Sequence, residues 1–291
     1  MKTLGEGFEA FLKNLIPLNS EHEKAASHKQ SVKGCLEKKF ECYNFFETGS
    51  FGNGTGVRHF SDADYFAVCR TANLKGNSGN TLREVKESLQ ITFPRTQGIE
   101  VDRPAVRIPF GNLKSETLEV TPCDYVGMIE TPVGNLPQYD IPGYGDEWMR
   151  SSPQAHNMFV KQQDERLNGK VKPLIRLLKA WKFYNNVPIT SFYLELRVAK
   201  FAQNESVIVY DIDLKNIVKE LHSINLASIR DPMGISGLVP ACNTNFKMED
   251  AISKLNTAVS RAEKAVENRE SNLDSCFDWW DKFFGGRFST R

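Results

Sequence analysis

The spacing of apolar residues changes near Pro153, and this change constrains the fold more than any other feature of the chain. Before it, apolar residues form short runs typical of buried strands, at 65–69 and 105–109. After it, they recur every three to four residues, as in amphipathic helices, at 174–181 and 252–266. The sequence therefore predicts an α+β protein with a mixed sheet in its front half and a helical back half.

We expect two lobes from this pattern, residues 1–160 and residues 161–291. The first should hold the mixed sheet with its helices, and the second should be helical. One apolar stripe along Ser20–Phe46 predicts a long helix that bridges both lobes. A strand is predicted at Thr117–Thr121, and the glycines and prolines of 131–145 predict that this segment is not regular structure throughout.

Charge and cysteine content narrow the functional classes. The 291 residues carry a formal net charge of +1, so the chain has no global basic field and no strong sign of nucleic-acid binding. The six cysteines are scattered without zinc-ligand spacing, which is typical of reduced thiols in a cytosolic protein. No apolar run approaches the roughly 20 residues that span a bilayer. We expect a cytoplasmic protein with no membrane partner.

Two carboxylates stand two residues apart at the head of a predicted strand, in Asp62-Ala63-Asp64. Because side chains alternate along a strand, both should project from one face, where a divalent cation would relieve their repulsion. A glycine-rich loop that begins at Gly49-Ser50 precedes them, and its N–H groups and hydroxyl suit phosphate oxygens. The combination predicts a site for Mg²⁺ and phosphate, although a lone Asp-x-Asp is also common at an ordinary strand edge.

A site with two metal ions usually takes a third carboxylate from a neighbouring strand, and Glu119 and Asp124 are the candidates. Leu118 and Val120 should face the core, which directs Glu119 to the opposite face. Asp124 follows Pro122, where we expect the strand to have ended. We favour Glu119 as the third ligand and keep Asp124 as the alternative.

The helical half contributes a lysine and a hydroxyl. Lys179 lies off the apolar stripe of its helix, and Ser191 opens the next helix after Pro188. A helix N-terminus with a hydroxyl favours phosphate, and a nearby ammonium would neutralise a triphosphate. Taken alone, Lys179 is typical of a solvated surface lysine and Ser191 of a helix N-cap. Their combination with the front-half motif is what predicts a phosphate-binding role.

The segments that carry a family resemblance are Thr48–Gly52, Ser61–Phe66, Leu118–Cys123, Leu178–Trp181 and Ser191–Glu195. In this order and at these distances they resemble the bacterial cGAS/DncV-like nucleotidyltransferases (CD-NTases), a branch of the polymerase-beta-like superfamily. The glycine-serine loop with Asp-x-Asp would identify only the superfamily, whereas the last two segments point to the branch. The resemblance extends from about residue 20 to the C-terminus.

The resemblance implies a bilobal polymerase-beta-like fold and assigns roles to residues. It makes Gly49 and Ser50 phosphate-binding residues, Asp62, Asp64 and Glu119 the catalytic ligands of two Mg²⁺ ions (with Mn²⁺ as a substitute), and Lys179 and Ser191 the clamp on the donor triphosphate. Many relatives have Asp where this chain has Glu119. This departure keeps the carboxylate but lengthens the side chain.

The resemblance also implies an activity. It predicts an enzyme that joins ribonucleoside triphosphates (ATP, GTP or both, with pyrimidine nucleotides as further candidates) into a cyclic di- or trinucleotide for antiphage signalling through a separate effector protein. The alternatives are a template-independent linear polymerase, a small-molecule adenylyltransferase and, from another class, a catalytically silent nucleotide-binding module. The balanced charge argues mildly against a polymerase groove. The retained carboxylates argue against a silent module.

Overall fold

The computed structural model describes residues 2–17, 19–60, 63–111, 116–143 and 145–288, with the backbone alone at 19–27 and 116. Its helices are α1 (Leu4–Leu15), α2 (Asn19–Phe40), α3 (Gly49–Gly52), α4 (Ser78–Thr92), α5 (Pro153–Arg166), α6 (Val171–Tyr184), α7 (Ser191–Ala202), α8 (Tyr210–Ser223), α9 (Asn245–Glu267) and α10 (Leu273–Phe283). Its strands are β1 (Asn44–Glu47), β2 (Ala63–Val68), β3 (Glu100–Asp102), β4 (Ala105–Phe110), β5 (Glu116–Thr131), β6 (Gly134–Pro142), β7 (Trp148–Ser151), β8 (Ile229–Arg230) and β9 (Leu238–Val239).

The chain divides into two compact units. The sheet unit comprises Pro17–Met158 and Met233–Ser236. The helical unit comprises Met1–Ile16, Phe159–Pro232 and Gly237–Arg291. The division near residue 158 lies close to the predicted lobe boundary, but the first sixteen residues group with the helical unit instead of the sheet.

Aromatic packing explains why the first helix joins the helical unit. The ring centroids of Phe8 and Trp280 lie 5.3 Å apart in an edge-to-face arrangement, and those of Phe11 and Phe284 lie 4.7 Å apart. Phe8 and Trp280 are buried, so α1 contributes its apolar face to the core of the helical unit.

None of the described helices is long and apolar enough to cross a membrane.

The sheet unit is built on one mixed sheet, which confirms the predicted fold class. Its strand order is β1-β2-β5-β4-β3, and the far end of β5 continues into β6 and then β7. Strands β2 and β5 run parallel, whereas β1 with β2 and β4 with β5 are antiparallel. The candidate site lies on this central parallel pair.

The two faces of the central strands are buried in different ways. Tyr65 and Ala67 of β2 belong, with Val120 of β5, to a large core cluster that includes residues of α2 and α4. Phe66 of β2 and Cys123 of β5 belong to a smaller cluster on the other face. The alternation expected of strands therefore holds on both β2 and β5. All six cysteines lie in the described ranges and are free, buried thiols.

The predicted helix Ser20–Phe46 extends about one and a half turns beyond the observed end of the helix. Helix α2 ends at Phe40, where Glu41 takes a left-handed conformation with φ of 49° and the Cys42 N–H donates to the Leu36 carbonyl at 3.3 Å. A left-handed residue at the end of a helix is a common stop. The following residues pair with β2 as strand β1, because their aromatic side chains also suit a sheet.

The prediction of a strand that stops at Pro122 was wrong. Strand β5 runs on to Thr131, and Pro122 lies in it opposite Ala67 of β2. The segment 131–145 is not regular throughout, as predicted, although Gly134–Pro142 within it forms β6 beside the distal part of β5.

Candidate functional site

Asp64 and Glu119 are direct neighbours across the central parallel pair. The register of β2 with β5 sets Asp64 opposite Glu119, and neighbouring strands lie about 4.8 Å apart. Their sequence neighbours Tyr65, Leu118 and Val120 are buried in the large core cluster, so both acids project from the other face. Both side chains are half-buried. The predicted direction of Glu119 therefore agrees with this register.

Gly49 approaches the carboxylate of Asp64. It has a left-handed backbone with φ of 57°, and a β-carbon built on it would overlap the carboxylate. The Thr48 N–H donates to the Asp64 carbonyl at 2.8 Å, which ties the turn to β2. Glycine is required here for two reasons, the conformation and the close approach.

The segment after Gly49 is a single helical turn, where the sequence predicted a loop. Within it the Gly52 N–H donates to the Thr48 carbonyl at 3.0 Å and the Asn53 N–H to the Gly49 carbonyl at 3.0 Å. The Thr55 N–H donates to the Ser50 carbonyl at 2.9 Å. These N–H groups serve the turn itself, so the predicted phosphate contacts fall to Gly49 and Ser50 at its start.

Asp62, the other predicted metal ligand, lies outside the described residues. The part of the predicted metal site that the structure describes is thus the pair Asp64 and Glu119. Within the described residues no group of three histidine, cysteine or acidic side chains comes together in a way that could hold a metal ion.

Asp124 lies on the same strand as Glu119 but in a different setting. The two are five residues apart, which is about 16 Å along a strand and an odd number of alternations. Asp124 stands opposite Asp140 of β6, before the bulge between Tyr125 and Gly127. The choice between Glu119 and Asp124 therefore rests on register, because the strand does not end between them.

Tyr65 links the core side of β2 to β1. Its hydroxyl donates to a carboxylate oxygen of Glu47 at 3.3 Å, and the Lys29 ammonium lies 4.9 Å from its ring centroid. Burial raises the pKa of the Tyr65 hydroxyl, and the charges of Glu47 and Asp64 raise it further. The hydroxyl therefore keeps its proton and its hydrogen bond to Glu47.

Lys179 is buried and paired within the helical unit. It is 1% exposed, and its ammonium donates to a carboxylate oxygen of Glu195 at 2.8 Å across α6 and α7. The reading of Lys179 as a solvated surface lysine is therefore wrong. This deeply buried positive charge is tolerated because the carboxylate of Glu195, which is also buried, lies within hydrogen-bond distance of it.

Lys182, one helical turn after Lys179, is the lysine that meets Ser191. Its ammonium donates to the Ser191 hydroxyl at 3.0 Å. Ser191 is the first residue of α7, and the hydroxyl of Thr190 is the cap, accepting from the Tyr193 N–H at 3.4 Å. The reading of Ser191 as an N-cap is thus also wrong.

The pKa of the Lys182 ammonium is lower than that of an ordinary lysine. Burial, and then the charge of Lys179, lower its pKa to about 8, while Glu195 opposes the shift. Lys182 was not predicted as a site residue, because the family resemblance rests on the Leu-Lys-Ala-Trp segment, which carries Lys179. The available signal was its place three residues on, where a helix brings side chains to the same face.

Comparison with known proteins places these features in a family. A family model described as the Second Messenger Oligonucleotide or Dinucleotide Synthetase domain matches residues 1–164. A probable cyclic nucleotide synthase of Bacillus cereus is 23% identical, over 99% of this chain and 98% of that protein.

Solved structures share the fold. CdnC of Escherichia coli MS115-1, solved with ATP, superposes with a TM-score of 0.74 at 18% identity, covering 98% of both chains. The cyclic AMP-GMP synthase DncV of Vibrio cholerae, solved with the linear intermediate pppA(3′,5′)pG, superposes with a TM-score of 0.66 at 15% identity. That superposition covers 85% of this chain and 70% of the other.

We expect Glu195→Gln to destabilise the protein by about 3 kcal/mol or more, because it leaves the buried Lys179 ammonium without its counter-charge. The matched control is Glu165→Gln, which removes an exposed partner of Lys161 at 3.6 Å and should cost less than about 1 kcal/mol. Urea unfolding of both variants measures the difference. Equal free energies of unfolding would contradict the buried pair.

We also expect the side-chain carbon signals of Lys182 to titrate near pH 8 in an NMR pH series. The folded-state pKa is below the unfolded one, so the unfolded chain binds more protons between about pH 8 and the ordinary value of 10.5. This group therefore adds stability as the pH rises through that window. Titration of Lys182 near the ordinary value of 10.5 would show that the site does not lower its pKa.

Proposed function

Because the chain belongs to the Second Messenger Oligonucleotide or Dinucleotide Synthetase family, we propose that it is a divalent-metal-dependent nucleotidyltransferase that joins ribonucleoside triphosphates into a cyclic di- or trinucleotide. The observation that carries the proposal is the register of β2 with β5, which pairs Asp64 with Glu119 on one face. The turn at Gly49 supports it, because glycine lets this backbone come close to the Asp64 carboxylate.

The residues present suit Mg²⁺, which prefers carboxylate oxygens together with substrate phosphates and water. Asp64 and Glu119 supply such oxygens from adjacent strands, and Asp62 is the further proposed ligand from the sequence. Two bound Mg²⁺ or Mn²⁺ ions would activate the attacking hydroxyl and stabilise the oxygens of the leaving group.

The reaction proposed is in-line attack of a ribose hydroxyl on an α-phosphate, with a new phosphodiester bond formed and pyrophosphate released. The acids on β2 and β5 would orient the hydroxyl, and either Asp64 or Glu119 would take its proton. Gly49 and Ser50 would hold phosphate oxygens through their N–H groups and the serine hydroxyl. Positioning and charge neutralisation then supply most of the rate, without a covalent enzyme intermediate.

Lys182 and Ser191 form the proposed clamp on the donor triphosphate. The ammonium and the hydroxyl already meet at 3.0 Å, at the start of an α-helix whose dipole favours anions. Lys179 stays a predicted phosphate-binding residue, but its buried pair with Glu195 supports an indirect role. Its charge lowers the pKa of Lys182, and an arriving triphosphate would relieve that repulsion.

The biological setting follows from the same proposal. The relatives' names describe synthases of cyclic nucleotides, and the Vibrio cholerae enzyme was solved with a linear intermediate, as expected where two transfers close a ring. We infer that the product activates a separate effector protein during antiphage defence in the cytoplasm. ATP and GTP are the first substrates to test, followed by pyrimidine nucleotides.

Glu119→Gln should lower the turnover of nucleotidyl transfer by about a hundredfold or more, because it removes a proposed metal ligand. The matched control is Asp124→Asn on the same strand, which should keep most of the activity. Pyrophosphate release with Mg²⁺ measures both. A crippled Asp124→Asn with an active Glu119→Gln would identify Asp124 as the third ligand and overturn our choice.

Incubation of the purified protein with Mg²⁺ or Mn²⁺ and the four ribonucleoside triphosphates should give a short oligonucleotide that resists phosphatase, because a closed ring has no terminal phosphate. Mass spectrometry and nuclease mapping identify ring size and linkage. Long phosphatase-sensitive chains would show a linear polymerase instead. Adenylylation of an added small molecule would also exclude the cyclase. The assignment of the nucleotidyltransferase fold would still hold.

A further inference from the structure

A row of four charged side chains crosses the candidate-site face of the sheet, one from each of four neighbouring strands. The registers set Asp64 of β2 opposite Glu119 of β5, and Glu119 opposite Arg107 of β4. Arg107 in turn stands opposite Glu100 of β3. An arginine is therefore the direct neighbour of the proposed metal ligand Glu119.

The alternation of side chains along β4 puts Arg107 on the same face as the two acids. Val106 and Ile108, on either side of it, are buried in the large core cluster on the other face. Directly opposite residues on one face of an antiparallel pair have β-carbons about 4.5–5.5 Å apart. Arg107 therefore flanks Glu119 on the side away from Asp64.

The ion pair with Glu100 only partly neutralises the charge of Arg107. Nη1 of Arg107 lies 3.5 Å from Oε1 of Glu100, whose side chain is 60% exposed. An ion pair this open to water is weak. Nε of the same guanidinium is buried and has no hydrogen-bond partner among the described residues. The guanidinium thus keeps positive charge that acts on the candidate site.

This charge is close enough to act on both acids. Neighbouring strands lie about 4.8 Å apart, so β4 is about 10 Å from β2, within one Debye length at 0.1 M salt. In the metal-free protein Arg107 offsets the repulsion between Asp64 and Glu119. It repels a bare divalent cation that approaches the acids. A metal–triphosphate complex is attracted instead, because its net charge is negative.

We propose that Arg107 is a specificity-determining residue that makes the candidate site select a metal–nucleotide complex over a free metal ion. The inference rests on the proposed function, because it concerns the metal site at Asp64 and Glu119. Arg107 balances these acids while the ion is absent and attracts the phosphates that arrive with it. The enzyme therefore takes up its metal together with its substrate.

The test compares the wild-type protein with Arg107→Gln in two titrations at low ionic strength. Binding of free Mn²⁺ is followed by electron paramagnetic resonance. Binding of the Mn²⁺ complex of α,β-methylene-ATP, which cannot release pyrophosphate, is followed by calorimetry. Arg107→Gln should bind free Mn²⁺ about threefold more tightly and the complex about threefold more weakly. Opposite signs identify a charge effect, because a distorted site would weaken both.

Three controls isolate the charge. Arg107→Lys keeps it and should restore both affinities, whereas Arg107→Met is a second neutral variant and should behave like Arg107→Gln. The matched control is Arg150→Gln, which removes an exposed arginine that pairs with Asp140 at 3.1 Å on β6 and β7 of the same sheet. It should change neither affinity. Raising the salt to about 1 M should shrink both effects of Arg107→Gln.

Three results would overturn the inference. Weaker binding of both probes by Arg107→Gln would show that the residue only maintains the structure of the site. Unchanged binding of both would confine Arg107 to its pair with Glu100. In these two cases the wild-type protein still binds both probes, so the proposed function stands. A wild-type protein that binds neither probe would overturn the proposed function and this inference together.

Discussion

The parallel register of β2 with β5 is the constraint on which the candidate site depends. It sets Asp64 opposite Glu119, and a slip of one residue would turn one acid into the core and a core side chain out. The register is strongly specified because Tyr65 and Val120, on either side of the acids, are buried in one apolar cluster. The core therefore holds two like charges in a position that they would not adopt by themselves.

The helical unit uses a buried ion pair in a similar way. Lys179 and Glu195 fix α6 against α7, and this places Lys182 beside Ser191 at the start of α7. Burial lowers the pKa of the neighbouring Lys182 ammonium most, and the charge of Lys179 lowers it further. One interaction thus joins the packing of two helices to the electrostatics of the proposed phosphate clamp.

Strand alternation was enough to predict the direction of Glu119, because Leu118 and Val120 are plainly core residues. The continuation of β5 through Pro122 was not predictable by the same argument, since proline weakens a strand locally while its pairing partners come from distant segments. The end of α2 at Phe40 depends on the left-handed Glu41, and β1 on its pairing with β2. The partner of Lys179 likewise depends on how α6 packs on α7, which single-helix periodicity does not contain.

A double-mutant cycle on Mn²⁺ affinity tests the central claim, that Asp64 and Glu119 hold one divalent-metal site together. The affinity of the wild-type protein, Asp64→Asn, Glu119→Gln and the double variant would be measured by electron paramagnetic resonance. Two ligands of one site should be coupled by about 1 kcal/mol or more, so the double variant should lose little beyond either single variant. Losses that add to within about 0.5 kcal/mol would show that the two acids act independently and would contradict the account.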